Sequence, residues 1–146
     1  KIIKTKKVDK FYTYQLFFLY NVYNEHVLFL CIKPQVMPKV LEELSTAVKE
    51  KAVIVSIAAG VSAKKICGAI KTTDRVIQVM PNTPLMLSEG AVAISATDRV
   101  SEEELEVVEK IFSSCGVCRK IPLDKMNEAM ETNVAQKGIK IAYIAK

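Results

Sequence analysis

The sequence predicts a doubly wound α/β domain with a mainly parallel sheet, on three observations. Short apolar runs recur at 27–32 (VLFLCI), 52–59 (AVIVSIAA) and 75–80 (RVIQVM). The segments between them space their apolar residues as helices do. Each run is stopped by proline or glycine: Pro34, Gly60 and Pro81. Runs that are apolar on both faces and alternate with helices mark parallel strands covered from both sides.

The elements follow in order. After the first run, Met37, Leu41, Leu44 and Val48 have helical spacing, and Pro38 fits the first turn, where a missing N–H costs nothing. The second run ends at Gly60, and Ser62 is placed to cap a helix reaching about Lys71 that buries Ile66 and Ile70. The third run ends at Pro81. A fourth, 91–96, is separated from a fifth, 117–121, by a well-signalled helix. Ser101 and Glu104 form a capping box there, residues 102–104 are all Glu, and Leu105, Val108, Ile111 and Phe112 supply the buried stripe. Asp124 is expected to cap a last helix starting near Lys125, whose pattern fades beyond about Thr132.

Length and composition agree with one globular domain. A chain of 146 residues, 50% hydrophobic and 25% charged, is long enough for one core without staples. Five Gly and five Pro exclude collagen-like and Pro/Gly-rich disordered classes. The formal charge of +5 is uneven: residues 1–30 hold five Lys against Asp9 and Glu25, for +3, leaving +2 for the remainder. No basic helix or aromatic/basic motif accompanies it, so nucleic-acid binding is not expected. Cys31, Cys67, Cys115 and Cys118 read as reduced thiols. The CxxC at 115–118 lacks a second such pair, and His26 is the only histidine, so no metal site is expected and the pair reads as small residues at a helix-to-strand turn.

Residues 1–26 differ in kind. They hold seven of the ten Phe and Tyr residues and neither Gly nor Pro. Gln15, Asn21, Asn24, Glu25 and His26 interrupt any signal-peptide or membrane-spanning stretch. An irregular leader outside the functional domain is expected, with Phe11, Tyr14, Phe17 and Phe18 as a candidate cover for an exposed sheet edge.

In open α/β sheets, ligands bind beyond the carboxyl ends of the strands. Three consecutive strand ends carry distinctive residues: Lys33-Pro34-Gln35, Ala58-Ala59-Gly60-Val61 and Met80-Pro81-Asn82-Thr83-Pro84. The small Ala-Ala-Gly turn lets a flat ligand approach backbone, the prolines fix the loop around Asn82, and Lys33 adds positive charge.

With CIKPQ, VIVSIAAGVS, RVIQVMPNTP, EGAVAISA, SEEELEVVEKIFSSCGVC and DKMNEAM in this order, residues from about 27 to 130 resemble pyrroline-5-carboxylate reductase. The resemblance implies a partial Rossmann-like fold and NAD(P)H-dependent reduction of 1-pyrroline-5-carboxylate to L-proline, with NADP or NAD as cofactor. It implies a small-molecule substrate, a cytoplasmic location, a homo-oligomer in the full-length family, and no nucleic-acid or membrane partner. By the same resemblance, Cys31, Ile32, Lys33, Pro34, Ala59 and Asn82 line the cofactor.

Residues 1–26 are unmatched, 27–123 correspond to the second half of the cofactor domain, and 124–146 to the truncated start of a helical dimerisation domain. Departures accompany the match. The glycines at 60, 68, 90, 116 and 138 are not spaced as the family's Gly-rich phosphate-binding fingerprint. The family's Ser/Gly-rich segment after DKMNEAM is replaced by ETNVAQKGIKIAYIAK. Weak or no NADPH binding, and little or no activity of this chain alone, are therefore expected. The competing readings are another NAD(P)-dependent two-domain dehydrogenase and a non-catalytic binding or assembly module.

Overall fold

A computed structural model describes residues 16–22, 25–82, 84 and 87–135, with side chains described over 27–82, 84 and 87–129. Its strands are β1 (Leu16–Val22), β2 (Glu25–Cys31), β3 (Val53–Ser56), β4 (Val76–Pro81), β5 (Gly90–Ala96) and β6 (Gly116–Lys120). The α-helices are α1 (Met37–Leu44), α2 (Ala63–Ala69), α3 (Glu102–Ser113) and α4 (Leu123–Ala135), and a 3-10 turn (Pro34–Val36) precedes α1. The strands form one sheet in chain order, β1 to β6.

The sheet is mixed. The pairs β2/β3, β3/β4 and β5/β6 are parallel, whereas β1/β2 and β4/β5 are antiparallel. This reversal at β4/β5 explains how both faces acquire helices. Crossovers between parallel strands are right-handed. While the chain advances along the sheet through β2, β3 and β4, that handedness puts α1 and α2 on one face. When β5 and β6 run the other way in the same advance, it puts α3 on the opposite face. Among the described residues the two-sided cover thus comes from a change of strand direction, not from a reversal of strand order.

The core is split by the sheet accordingly. Leu28, Leu30, Ile54 and Val76 pack with Met37, Val40 and Leu41 of α1 and Ala63 and Ile66 of α2, and Leu123 of α4 joins them. Val27, Phe29, Val53, Val55, Ile77, Val79, Val92 and Ile94 face the other way, where Leu105, Val108 and Phe112 of α3 lie against the same cluster. Every residue of β3 is buried, which is why its sequence shows no polar alternation.

Local signals explain most element ends. Ser62 Oγ accepts the Lys65 N–H to start α2, and Ser101 and Glu104 make the complete capping box at α3. Pro38 lies in the first turn of α1. Val48 is buried just after α1 ends, so the helical spacing overran the helix by one turn.

Three expectations change. Ile111 is 41% exposed. At ~100° per residue it sits roughly a quarter turn from the line through Leu105, Val108 and Phe112. The last helix begins at Leu123 and continues to Ala135, so Asp124 lies in its first turn rather than before it. The irregular leader gives way over Leu16–Val22, where β1 pairs residue for residue with β2, from Leu16 opposite Cys31 to Val22 opposite Glu25. Phe11 and Tyr14 lie outside the described residues, as do the side chains of Phe17 and Phe18.

Candidate functional site

The adjacent parallel strands β2, β3 and β4 deliver the three distinctive loops to one edge of the sheet. Leu30 is in register with Ser56, and Ser56 with Gln78. Lys33 and Ala59 each lie three residues past that row, and Asn82 four past it. With strands ~4.8 Å apart, these loops are spread over about 10 Å of sheet edge.

The first loop starts where β2 ends. Cys31 is half-buried, and burial pushes its thiol pKa up, so at neutral pH it is an uncharged thiol rather than a nucleophile. The side chain of Ile32 turns into the core with α1 and α2. Lys33 is exposed and extended (φ −67°, ψ 142°), as a residue before proline should be. Pro34 is exposed and opens a single 3-10 turn, closed by the Val36 N–H on the Lys33 carbonyl at 3.1 Å.

The second loop is held from several directions. The Ile57 N–H donates to the Leu30 carbonyl of β2 at 3.4 Å, and the Ala58 N–H to Ser56 Oγ at 3.3 Å. Gly60 takes φ 75°, a left-handed conformation that glycine adopts without Cβ strain. Gln78 of β4, with its side chain fully inside the protein, donates from Nε2 to the Val61 carbonyl at 2.9 Å. Ala59 is exposed within this anchored turn. A methyl group there leaves the backbone approachable by a flat ligand.

The third loop begins with Asn82, which is exposed but engaged. Its N–H donates to the Ala91 carbonyl at 3.3 Å, and its Oδ1 accepts the Ala91 N–H at 2.9 Å. The side chain therefore extends the β4/β5 ladder past Pro81, and its amide nitrogen remains the group with which to address a ligand. Thr83 lies outside the described residues.

Lys33, Pro34, Ala59 and Asn82 thus share one rim, Cys31 lies just behind it, and Ile32 contributes backbone only. This is an exposed cation beside small and rigid backbone, a donor set suited to an anionic, flat ligand such as a dinucleotide. Sequence reasoning missed Ser56 and Gln78, whose signal was a polar residue inside an otherwise apolar strand. The CxxC cysteines lie elsewhere: Cys118 is buried on the α3 face, and Cys115 follows α3 in the turn before β6. All four cysteines are free thiols, and no group of three or more His, Cys, Asp or Glu gathers among the described residues. Nor is any described helix long and apolar enough to cross a membrane.

Residues 20–60 match the family model described as NADP oxidoreductase coenzyme F420-dependent. The chain is 34% identical over 122 residues to pyrroline-5-carboxylate reductase 3 of Xenopus laevis, covering 84% of this chain and 44% of that protein. It is 32% identical over 128 residues to pyrroline-5-carboxylate reductase 2 of Rattus norvegicus, covering 86% and 39%. Among solved structures, the NADP-bound pyrroline carboxylate reductase of Plasmodium falciparum has the same fold, with a TM-score of 0.62 at 23% identity, covering 75% of this chain and 44% of that one. The chain spans less than half the length of these relatives. Over more than four-fifths of its own length, the chain is similar to pyrroline-5-carboxylate reductases.

Proposed function

We propose that the rim at the ends of β2, β3 and β4 is part of the NADP site of a pyrroline-5-carboxylate reductase. The reaction is the NAD(P)H-dependent reduction of 1-pyrroline-5-carboxylate to L-proline, in the cytoplasm and in a homo-oligomer. One observation carries the reading: three loops that resemble the reductase motifs emerge on the same edge of adjacent parallel strands, where α/β sheets bind ligands.

The nicotinamide supplies the hydride when bound, and the protein's work is to bind and orient. In this reading Lys33 offers its ammonium to the anionic part of the dinucleotide. Ala59 and its neighbours present backbone against a flat surface, and Pro34 holds the Lys33 backbone extended. The Asn82 amide nitrogen is left to donate at the nicotinamide side. None of these roles needs a nucleophile, in keeping with the neutral Cys31 thiol.

The reading is tested by adding NADPH at millimolar concentration to the isotope-labelled chain, a range that detects weak binding, and following backbone amides by NMR. Saturable shifts are expected at Lys33, Ala59 and Asn82, with amides in α3 and β6 unmoved. Shifts confined to other surfaces, or none at all, would falsify the assignment of this rim.

A further inference from the structure

Burying an amide side chain in a sheet is costly unless its hydrogen bonds are made. Gln78 occupies the center of β4 with no solvent exposure, where its neighbours Val76, Ile77 and Val79 are all apolar and equally buried. Packing alone favours a hydrophobic residue there. What the glutamine does is reach sideways across the end of the sheet, on the α1/α2 face, and donate from Nε2 to the carbonyl of Val61 at 2.9 Å. Val61 is the last residue of the turn that presents Ala59, immediately before the Ser62 cap of α2.

The other bonds on this turn act at its beginning. Ser56 Oγ accepts from Ala58, and Ile57 donates to Leu30. Between the two anchored ends lie Ala59 and Gly60, and glycine at φ 75° retains more backbone freedom than any other residue. Without a fixed far end, Gly60 would act as a pivot, and the exposed Ala59 backbone would sample many positions. Packing holds the Val61 side chain in the α1/α2 core, and the Gln78 amide adds a directional bond that fixes the orientation of its carbonyl.

We infer that Gln78 is a positioning residue: by holding the Val61 carbonyl, it fixes the β3–α2 turn in the shape on which a nicotinamide dinucleotide docks. It does not touch the ligand. The inference rests on the reading of the rim as a nucleotide site and adds the device that shapes it. Holding the turn before binding lowers the ordering cost that the ligand would otherwise meet.

The test uses two variants of the full chain. Gln78→Met keeps length and volume and removes the donor. Gln78→Glu keeps a donor only while its carboxyl is protonated; burial raises that pKa, so acidification restores the bond and alkalinisation removes it. Amide exchange in residues 58–61 is measured first without nucleotide. A rise of about tenfold is expected in Gln78→Met, the ratio for loss of one hydrogen bond of ordinary net strength, with exchange in α3 unchanged.

NADPH is then titrated against both variants and the parent chain. The Ala59 response should weaken about tenfold in Gln78→Met. In Gln78→Glu the response relative to the parent's at the same pH should be near one at low pH and fall as pH rises, a ratio that cancels the titration of the nucleotide's own phosphate near pH ~6. A purely structural role predicts equal loss of thermal stability without this pH-dependent recovery of binding. Unchanged exchange in Gln78→Met overturns the clamp, and increased exchange with an unchanged NADPH response overturns its positioning role. Should Gln78→Met not fold, the pH series on Gln78→Glu decides alone: a ratio to the parent flat across pH overturns the inference. A parent chain that gives no NADPH response anywhere on the rim refutes the site itself and the inference with it, an outcome distinct from a parent that responds and variants that respond equally.

Discussion

Two charged residues, Arg75 and Glu104, join the start of β4 to the start of α3 at the end of the sheet away from the rim. Arg75 Nη2 reaches both carboxylate oxygens of Glu104, at 2.5 and 2.6 Å, with both side chains about four-fifths buried. Burial pushes the Glu104 carboxyl pKa up, but hydrogen bonds from the Ser101 backbone and the Arg75 guanidinium outweigh it, and the net shift is downward. A depressed folded-state pKa contributes stability that is present above the unfolded value and lost as pH falls through the folded one. Glu104→Gln should therefore be less stable than the parent at neutral pH. The difference should close on acidification below the ordinary Glu range near pH 4.3. Thermal unfolding of both chains from pH 7 to pH 3 checks this; a gap that widens in acid would refute the assignment.

The capping box was legible from Ser101 and Glu104 alone because a cap is a local pattern. The Arg75 partnership was not, since its members lie 29 positions apart. Gln78 was hidden for a related reason. In the sequence it merely interrupts an apolar run, and its bond to Val61 exists only because β3 and β4 are neighbours.

At the scale of elements, β5 and β6 meet at two glycines, Gly90 opposite Gly116. Gly116 has φ 144°, and a Cβ there would overlap the Gly90 carbonyl oxygen, a backbone atom that cannot move aside cheaply. Gly116→Ala should thus destabilise by about 2–4 kcal/mol, combining positive-φ strain with separation of the strands. Chemical denaturation gives the number, and a loss under 0.5 kcal/mol would show that the strand pair accommodates the methyl group. Element existence was readable here, including both later strands and the helix between them, because apolar runs and caps repeat at short range. Ends were less readable. Helical spacing extends past Leu44 to Val48 because a residue one turn beyond a helix still packs on the same core. Ile111 lies on an apolar helix yet stays exposed, since the width of the buried stripe depends on how closely the sheet approaches.

The whole molecule is organised by strand pairing, and β1 is the part least visible in the sequence. Its seven residues include Asn21 and give no clean alternation, yet the strand closes the outer edge of β2. An unpaired edge next to a buried parallel sheet is a template for association. Removing residues 1–22 should therefore raise light scattering at fixed concentration and leave the parent chain the more soluble of the two. Equal scattering would mean that the β2 edge needs no cover.

The sequence by itself determined the apolar runs, the helices between them, the Ser62 and Ser101 caps and the three loops worth inspecting, because each of these is written within a few neighbouring residues. Tertiary structure decided that the three loops share one rim, that β5 runs against β4 and so sends α3 to the opposite face, and that Gln78 grips Val61. Those are relations between strands distant in the chain, set by hydrogen-bonded register and crossover handedness, and they take effect only when the sheet has assembled.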